Sequence, residues 1–87
     1  MNITGIKKLA KEGKSPYFFS PDTMRFFSSK VYEDVRKIDN GYLFLTSEVF
    51  GDAKRHFAVR FISLDGSIKT IEKYHTLEDA REHLNFH

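Results

Sequence analysis

The chain has 87 residues, of which 40% are hydrophobic and 30% are charged, and this composition is typical of a folded globular domain. The absence of Cys excludes disulfides and thiolate metal sites, and no apolar run is long enough to span a bilayer. The formal net charge of +2 does not require a polyanionic partner, and the N-terminus lacks the apolar core of a secretion signal, so we expect one cytoplasmic domain over residues 1–87.

The first predicted element is a short amphipathic helix. Apolar residues recur at spacings of three and four between positions 3 and 10, with lysines between them, and Gly13 is placed to end the run. Pro16 prevents the helix from continuing, because it pushes the preceding residue out of helical geometry. We expect residues 17–19 to be extended.

A second, shorter helix is predicted to begin next. Ser20 is a favourable N-cap, Pro21 suits the first helical position and Asp22 suits the first turn. Since Ser28-Ser29 soon interrupts the pattern, the helix should have one or two turns.

Four extended runs then predict an antiparallel meander, and they cover residues 31–38, 42–46, 55–63 and 67–74. Asn40-Gly41 and Asp65-Gly66 are favoured hairpin turns. The first strand is the weaker prediction, because Val31, Val35 and Ile38 also fit a helical spacing. The second run does not alternate cleanly, which indicates burial on both faces or a central position in the sheet.

A terminal helix of about ten residues should follow, because Thr76 and Asp79 resemble a capping box ahead of an apolar stripe. The order of elements predicts an α+β fold. We expect an antiparallel three- to four-stranded meander sheet with an N-terminal and a C-terminal helix packed on one face.

The sequence carries no catalytic motif that we can identify. It has no glycine-rich phosphate loop, no nucleophile elbow and no Cys nucleophile. The histidines lack a paired ligand spacing, although His75 and His83 with Glu72 or Glu82 would form an alternative metal or proton-transfer site in a small hydrolase or nuclease. We therefore expect a protein that is not an enzyme and that uses no cofactor and no metal.

The densest feature is an aromatic segment, residues 17–29, which surrounds the predicted helix cap. One interpretation is that its rings fill the core and its hydroxyls serve the cap. The other is that helix amides and polar side chains beside aromatic faces bind a phosphate, a nucleotide or an acidic protein surface. The candidate binding residues here are Ser20, Asp22, Thr23, Arg25, Ser28 and Ser29.

Two arginines decide between these interpretations. Arg25 either pairs with a carboxylate such as Asp22 or Glu48, or it faces a ligand. Arg60 is the last candidate binding residue, because it would form a basic strip with Lys69 or Lys73 on a neighbouring strand. The alternative for that strip is ordinary solvated charge.

The segment from Tyr17 to Val31, YFFSPDTMRFFSSKV, resembles the signature of a family of small, mostly phage- and prophage-encoded proteins of unknown function. The likeness continues in outline through residues 42–48, 55–61, 65–68 and 74–76, and it departs from the family pattern at residues 31–38. The resemblance implies a phage context and an accessory role in the host cell. It implies no activity, cofactor or catalytic residues.

Our first hypothesis is a non-enzymatic phage accessory protein that inhibits host defence by binding a host protein or by sequestering a small nucleotide signal. The many aromatics would also suit a homodimer, and no membrane partner is expected. The alternative is a nucleic-acid-binding module, because the order of elements is similar to that of double-stranded-RNA-binding domains.

Overall fold

The structure is a computed structural model, and it describes residues 1–49, 51 and 53–86. These residues form three helices and four strands in an α+β fold, as predicted. The elements are α1 (Ile3–Glu12), α2 (Pro21–Phe26), β1 (Lys30–Ile38), β2 (Gly41–Glu48), β3 (His56–Ser63), β4 (Ile68–Tyr74) and α3 (Leu77–Phe86).

The four strands form an antiparallel meander in the order β1-β2-β3-β4. The predicted first strand is confirmed, despite its helix-like spacing. Val31 lies opposite Thr46 and Val35 lies opposite Phe44, so both valines reach the same face of the sheet. The four-residue step from Val31 to Val35 lies opposite a step of only two residues on β2, so the register of the pair shifts between the two valines.

The first hairpin turn lies one residue earlier than predicted. Ile38 pairs with Gly41, which leaves Asp39 and Asn40 as the turn residues. Asn40 takes the positive φ of 69° that the turn requires, and Asn tolerates this conformation better than most side chains. Gly41 is thus free to begin β2.

The two long helices pack on opposite faces of the sheet, so the prediction that they share one face is wrong. Leu43, Leu45 and Val59 pack in one apolar cluster with Ala80 and Leu84 of α3. A second cluster joins Phe44 and Ile62 to Ile6 and Ala10 of α1. The physical reason is β2, whose consecutive apolar residues point alternately to both faces and so require a cover on each.

Residues 17–19 form turns and are not extended, contrary to the prediction. The amide of Phe18 donates to the carbonyl of Ser15 at 3.2 Å, and that of Ser20 donates to the carbonyl of Tyr17 at 3.1 Å. The turns bring the rings of Phe18 and Phe19 to 6.2 and 5.9 Å from that of Phe44. This segment and α2 therefore cover part of the sheet face on which α1 packs.

The two shorter predictions about helix ends are confirmed. Ser20 caps α2, which ends at Phe26 after fewer than two turns. The hydroxyl of Thr76 accepts from the amide of Asp79 at 3.1 Å, and α3 has the expected 10 residues. Within the described ranges, no helix combines the length and apolarity needed to cross a membrane.

Candidate ligand-binding cleft

A cleft of about 310 Å³ lies between α2 and the sheet face that carries Phe44. Its aromatic walls are Phe18, Phe19 and Phe27. Its polar floor comes from three neighbouring strands and consists of Thr46, Glu48, Arg60 and Thr70. The cleft thus combines ring faces with hydrogen-bonding groups, which is the usual character of a small-molecule site.

The register of the sheet explains why the polar residues of β4 meet in the cleft. Val59 lies opposite Glu72 and Arg60 lies opposite Thr70, so Ile71 is an extra residue in a β-bulge. In a regular strand, residues three apart point to opposite faces. Because of the bulge, both Thr70 and Lys73 line the cleft.

Arg60 is the centre of the floor and is largely buried. Its Nε donates to Thr46 Oγ1 at 2.7 Å and its Nη1 donates to Thr70 Oγ1 at 2.6 Å. Its Nη2 forms an ion pair with the carboxylate of Glu48, and the two side chains are only 13% and 9% exposed. The guanidinium also lies 5.2 Å from the centre of the Phe18 ring.

Desolvation by burial lowers the pKa of Arg60 from its usual value. A guanidinium nevertheless stays protonated in proteins, so the floor keeps its cation at neutral pH. The Glu48 carboxylate balances that charge. The ion pair also joins β2 directly to β3.

The threonine hydroxyls of the floor both accept from Arg60. A hydroxyl oxygen that accepts from Arg60 still has its own proton to donate. Thr46 is 2% exposed and Thr70 lies at the exposed rim, and both face the cleft. Their protons are therefore available to an acceptor on a molecule in the cleft.

Three of the residues predicted from sequence lie at the cleft, namely Thr23, Ser29 and Arg60. Ser20 lies beside it, and its hydroxyl serves the cap of α2, where it accepts from the amide of Thr23 at 3.2 Å. It also donates to the hydroxyl of Thr23 at 2.9 Å. The predicted cap role of Ser20 thus accounts for its contacts.

The other three predicted residues lie outside the cleft. Arg25 is 78% exposed, and its guanidinium is 3.6 Å from the carboxylate of Asp22, which is 95% exposed. Such a pair contributes little to stability. Ser28 has a positive φ of 47° and its carbonyl accepts from Arg55 Nη1 at 2.9 Å, so it anchors the chain between α2 and β1.

The basic strip predicted around Arg60 exists only in part. Lys73 lies on the same side of the sheet as Arg60 and lines the cleft. Lys69 pairs with Phe61, and its ammonium is 5.4 Å from the Phe61 ring, which packs with the cluster under α3. The sheet therefore separates Lys69 from Arg60.

Sequence reasoning missed Thr46, Glu48 and Thr70 as cleft residues. One signal was present, because Thr46 and Glu48 continue an apolar central strand with polar side chains two residues apart. That spacing places both side chains on one face of β2. Arg60 of the neighbouring strand β3 lies next to them. The contribution of Thr70 depends on the bulge, which leaves no comparable mark in the sequence.

The described histidines make contacts at two separate places, one between His83 and Tyr74 and one between His56 and His75. Tyr74 Oη lies 2.5 Å from His83 Nδ1. Desolvation first, and nearby carboxylates second, raise the pKa of Tyr74. The rings of His56 and His75 are 6.0 Å apart. Within residues 1–49, 51 and 53–86, no three His, Cys, Asp or Glu side chains are grouped to hold a metal, and His87 lies outside the described residues.

Comparison with known proteins gives one family. The model of a family of unknown function (DUF7447) matches residues 2–85. No curated protein matches the chain, and no solved structure does.

Proposed function

The chain belongs to the DUF7447 family of unknown function, and from the geometry of its cleft we propose that it is a non-enzymatic protein that binds a small nucleotide. The observation that carries the proposal is the combination of aromatic walls with a floor of hydrogen-bonding groups, in which Arg60 donates to the hydroxyls of Thr46 and Thr70. A nucleobase is complementary to both, since it has flat aromatic faces and an edge rich in acceptors.

The size of the cleft supports a small ligand. A volume of about 310 Å³ is at the lower end of the range of roughly 300 to 1,000 Å³ that ligand pockets cover. The rings of Phe18, Phe19 and Phe27 supply the contact area, and base–aromatic stacking contributes about 1–3 kcal/mol per base.

The charges of the cleft support a ligand with an anionic group. Arg60 and Glu48 neutralise each other as an ion pair. Lys73 adds a further positive charge to the lining. The lining is therefore net positive, and a phosphate-bearing ligand suits it better than the neutral or cationic alternatives.

The same residues support binding rather than catalysis. General acid–base chemistry usually needs a histidine or a second carboxylate placed at the reacting group. Among the described lining residues, Glu48 is the one carboxylate, and it is paired with Arg60. His56 and His75 lie beside this lining and not within it. A site of this kind holds a ligand but has little means to move its protons.

The biological part of the proposal comes from the resemblance of residues 17–31 to phage-encoded proteins. A small phage protein that captures a nucleotide would deprive the host of a signal, so we assign it the role of a defence inhibitor in the host cytoplasm. A nucleic-acid-binding role stays a prediction. The fold shares the order of elements with double-stranded-RNA-binding domains, but it has four strands and its helices lie on opposite faces.

A second candidate function is binding of a host protein, and one observation favours it. Tyr17 and Phe26 are 78% and 79% exposed near α2. Exposed aromatic side chains are typical of protein contact surfaces. This surface and the cleft would also take part in one binding event, because residues 17–29 contribute side chains to both.

The proposal is tested by titrating the isotope-labelled protein with the four ribonucleoside monophosphates and recording amide shifts by NMR. We expect at least one nucleotide to shift resonances of the cleft residues. The variant Thr46→Val keeps the size of the side chain and removes its hydroxyl, which is also the acceptor of Arg60 Nε. It should bind about 2- to 13-fold more weakly, the factor that corresponds to roughly 0.5–1.5 kcal/mol per hydrogen bond.

The matched control is Thr4→Val, because Thr4 lies exposed on α1 and outside the cleft. It should bind like the unaltered protein. If none of the four nucleotides moves a cleft resonance at millimolar concentration, the proposed function is wrong.

A further inference from the structure

The imidazoles of His56 and His75 lie together on the sheet next to the cleft. Their rings meet edge to face with centres 6.0 Å apart. We propose that this histidine pair binds the phosphate group of the nucleotide whose base occupies the cleft. The inference rests on the proposed function and adds a phosphate site to it.

The register places His56 at the end of the cleft floor. His56 lies directly opposite Glu48, which lines the cleft. Residues directly opposite in an antiparallel pair have their side chains on the same face, about 4.5–5.5 Å apart at Cβ. His56 therefore lies level with Glu48, on the neighbouring strand β3, and continues the polar floor there.

His75 reaches the same place from β4. It lies two residues beyond Lys73, and Lys73 lines the cleft. His75 itself lies in the bend that follows β4. The ring contact with His56 confirms that His75 points to this face. The pair is therefore placed beside the floor, by the register of His56 opposite Glu48 and by the ring contact of His75 with His56.

The chemistry of the pair favours an anion. Each imidazole can donate an N–H group, and two rings whose centres are 6.0 Å apart are close enough to donate to the oxygens of one phosphate. His75 is exposed and His56 is half-buried, so the pair is accessible from solvent. The charged groups nearest in the register are Glu48, which is paired with Arg60, and the cationic Lys73. Their sum attracts a phosphate.

The experiment compares each ribonucleoside monophosphate with its own nucleoside by calorimetric titration. The unaltered protein should bind the nucleotide about 10-fold or more tightly than the nucleoside, as expected for charge-assisted hydrogen bonds. The variant His56→Phe/His75→Phe keeps two rings in place and removes their N–H donors. It should lose that advantage while its affinity for the nucleoside stays unchanged.

His83→Phe is the matched control, because His83 belongs to α3 and contacts Tyr74 rather than the cleft. It should keep the preference for the nucleotide. Amide NMR spectra would check that each variant is folded. If the double variant keeps the full preference, the phosphate site is wrong and the proposed function stands. If neither ligand class binds the unaltered protein, both proposals fail.

Discussion

The carboxylate of Glu48 and the guanidinium of Arg60 form a buried ion pair that joins the second strand to the third beneath the ring of Phe18. Both hydroxyls that border the pair, those of Thr46 and Thr70, accept from the same guanidinium. The polar floor of the cleft is therefore one connected network, and removal of its central cation should affect all of it.

The first prediction concerns Arg60→Met. This substitution leaves the Glu48 carboxylate buried without its cation, and we expect the free energy of unfolding to fall by about 3–5 kcal/mol. The double variant Arg60→Met/Glu48→Leu removes both charges and should recover most of that loss. Urea denaturation followed by circular dichroism measures all three proteins.

Arg81→Met is the comparison for this prediction. Arg81 Nε lies 3.1 Å from Asp34 Oδ2, but the two side chains are 47% and 26% exposed. Arg81 also donates from Nη2 to Asp34 Oδ1 at 3.2 Å, but water screens this partly exposed pair, so the loss should be smaller than at Arg60. An equal loss at both arginines would show that burial does not govern the Arg60 network.

The second prediction concerns the contact between Gly66 and Gly13. Gly66 has a φ of 85°, and a Cβ at this position would lie 2.6 Å from the Cα of Gly13 and 2.6 Å from the carbonyl oxygen of Leu9. Gly66→Ala should therefore cost more than the roughly 1 kcal/mol that a positive φ alone imposes on Ala. The cost would be measured as a fall in the free energy of unfolding.

Gly51→Ala separates the two effects. Gly51 also has a positive φ, of 60°, but no described residue comes within 4 Å of an added Cβ. Only the conformational cost should remain, so this variant should be the more stable of the two. If both variants lost the same stability, the close contact between Gly66 and Gly13 would not be needed to hold α1 against the hairpin between β3 and β4.

The third prediction concerns the pH dependence of stability. The hydroxyl of Ser63 first, then the amide and hydroxyl of Ser67, and finally Lys14 hold the pKa of Asp65 well below its usual value. Because the folded state favours the carboxylate, this stabilisation is present above the ordinary carboxyl pKa of about 3.9. It should be lost as the pH falls below that value.

Melting temperatures of the unaltered protein and of Asp65→Asn between pH 7 and pH 2.5 test this sign. The variant should melt lower at neutral pH, and the difference should shrink below about pH 4. Asp22→Asn is the control, since Asp22 is 95% exposed and its ion pair is loose. A constant difference at all pH values would contradict the assigned role of Asp65.

The sequence predicted most elements because their signals are local. The cap at Ser20, the alternation from His56 to Ser63 and the cap at Thr76 each depend on a few neighbouring residues. What could not be predicted depends on pairing between distant strands. The partner of Arg60 follows from the register of β2 and β3, and the position of Thr70 follows from the bulge at Ile71. The consecutive apolar residues of β2 indicated that both faces of the sheet are buried. They did not indicate which helix covers each face.

The fourth prediction concerns self-association through the exposed ring of Phe26, which is 79% exposed and stacks edge to face on Phe27 at 4.8 Å. We expect the unaltered protein to dimerise as its concentration rises, because the exposed ring of Phe26 gains contact area from a partner. Phe26→Ser should remain monomeric in sedimentation equilibrium and should keep its melting temperature, since its ring is scarcely buried within the chain. Phe86→Ser is the matched control, because Phe86 is 77% exposed at the end of α3 and should not affect the dimer. Dimerisation that persists in Phe26→Ser would place the interface elsewhere on the protein.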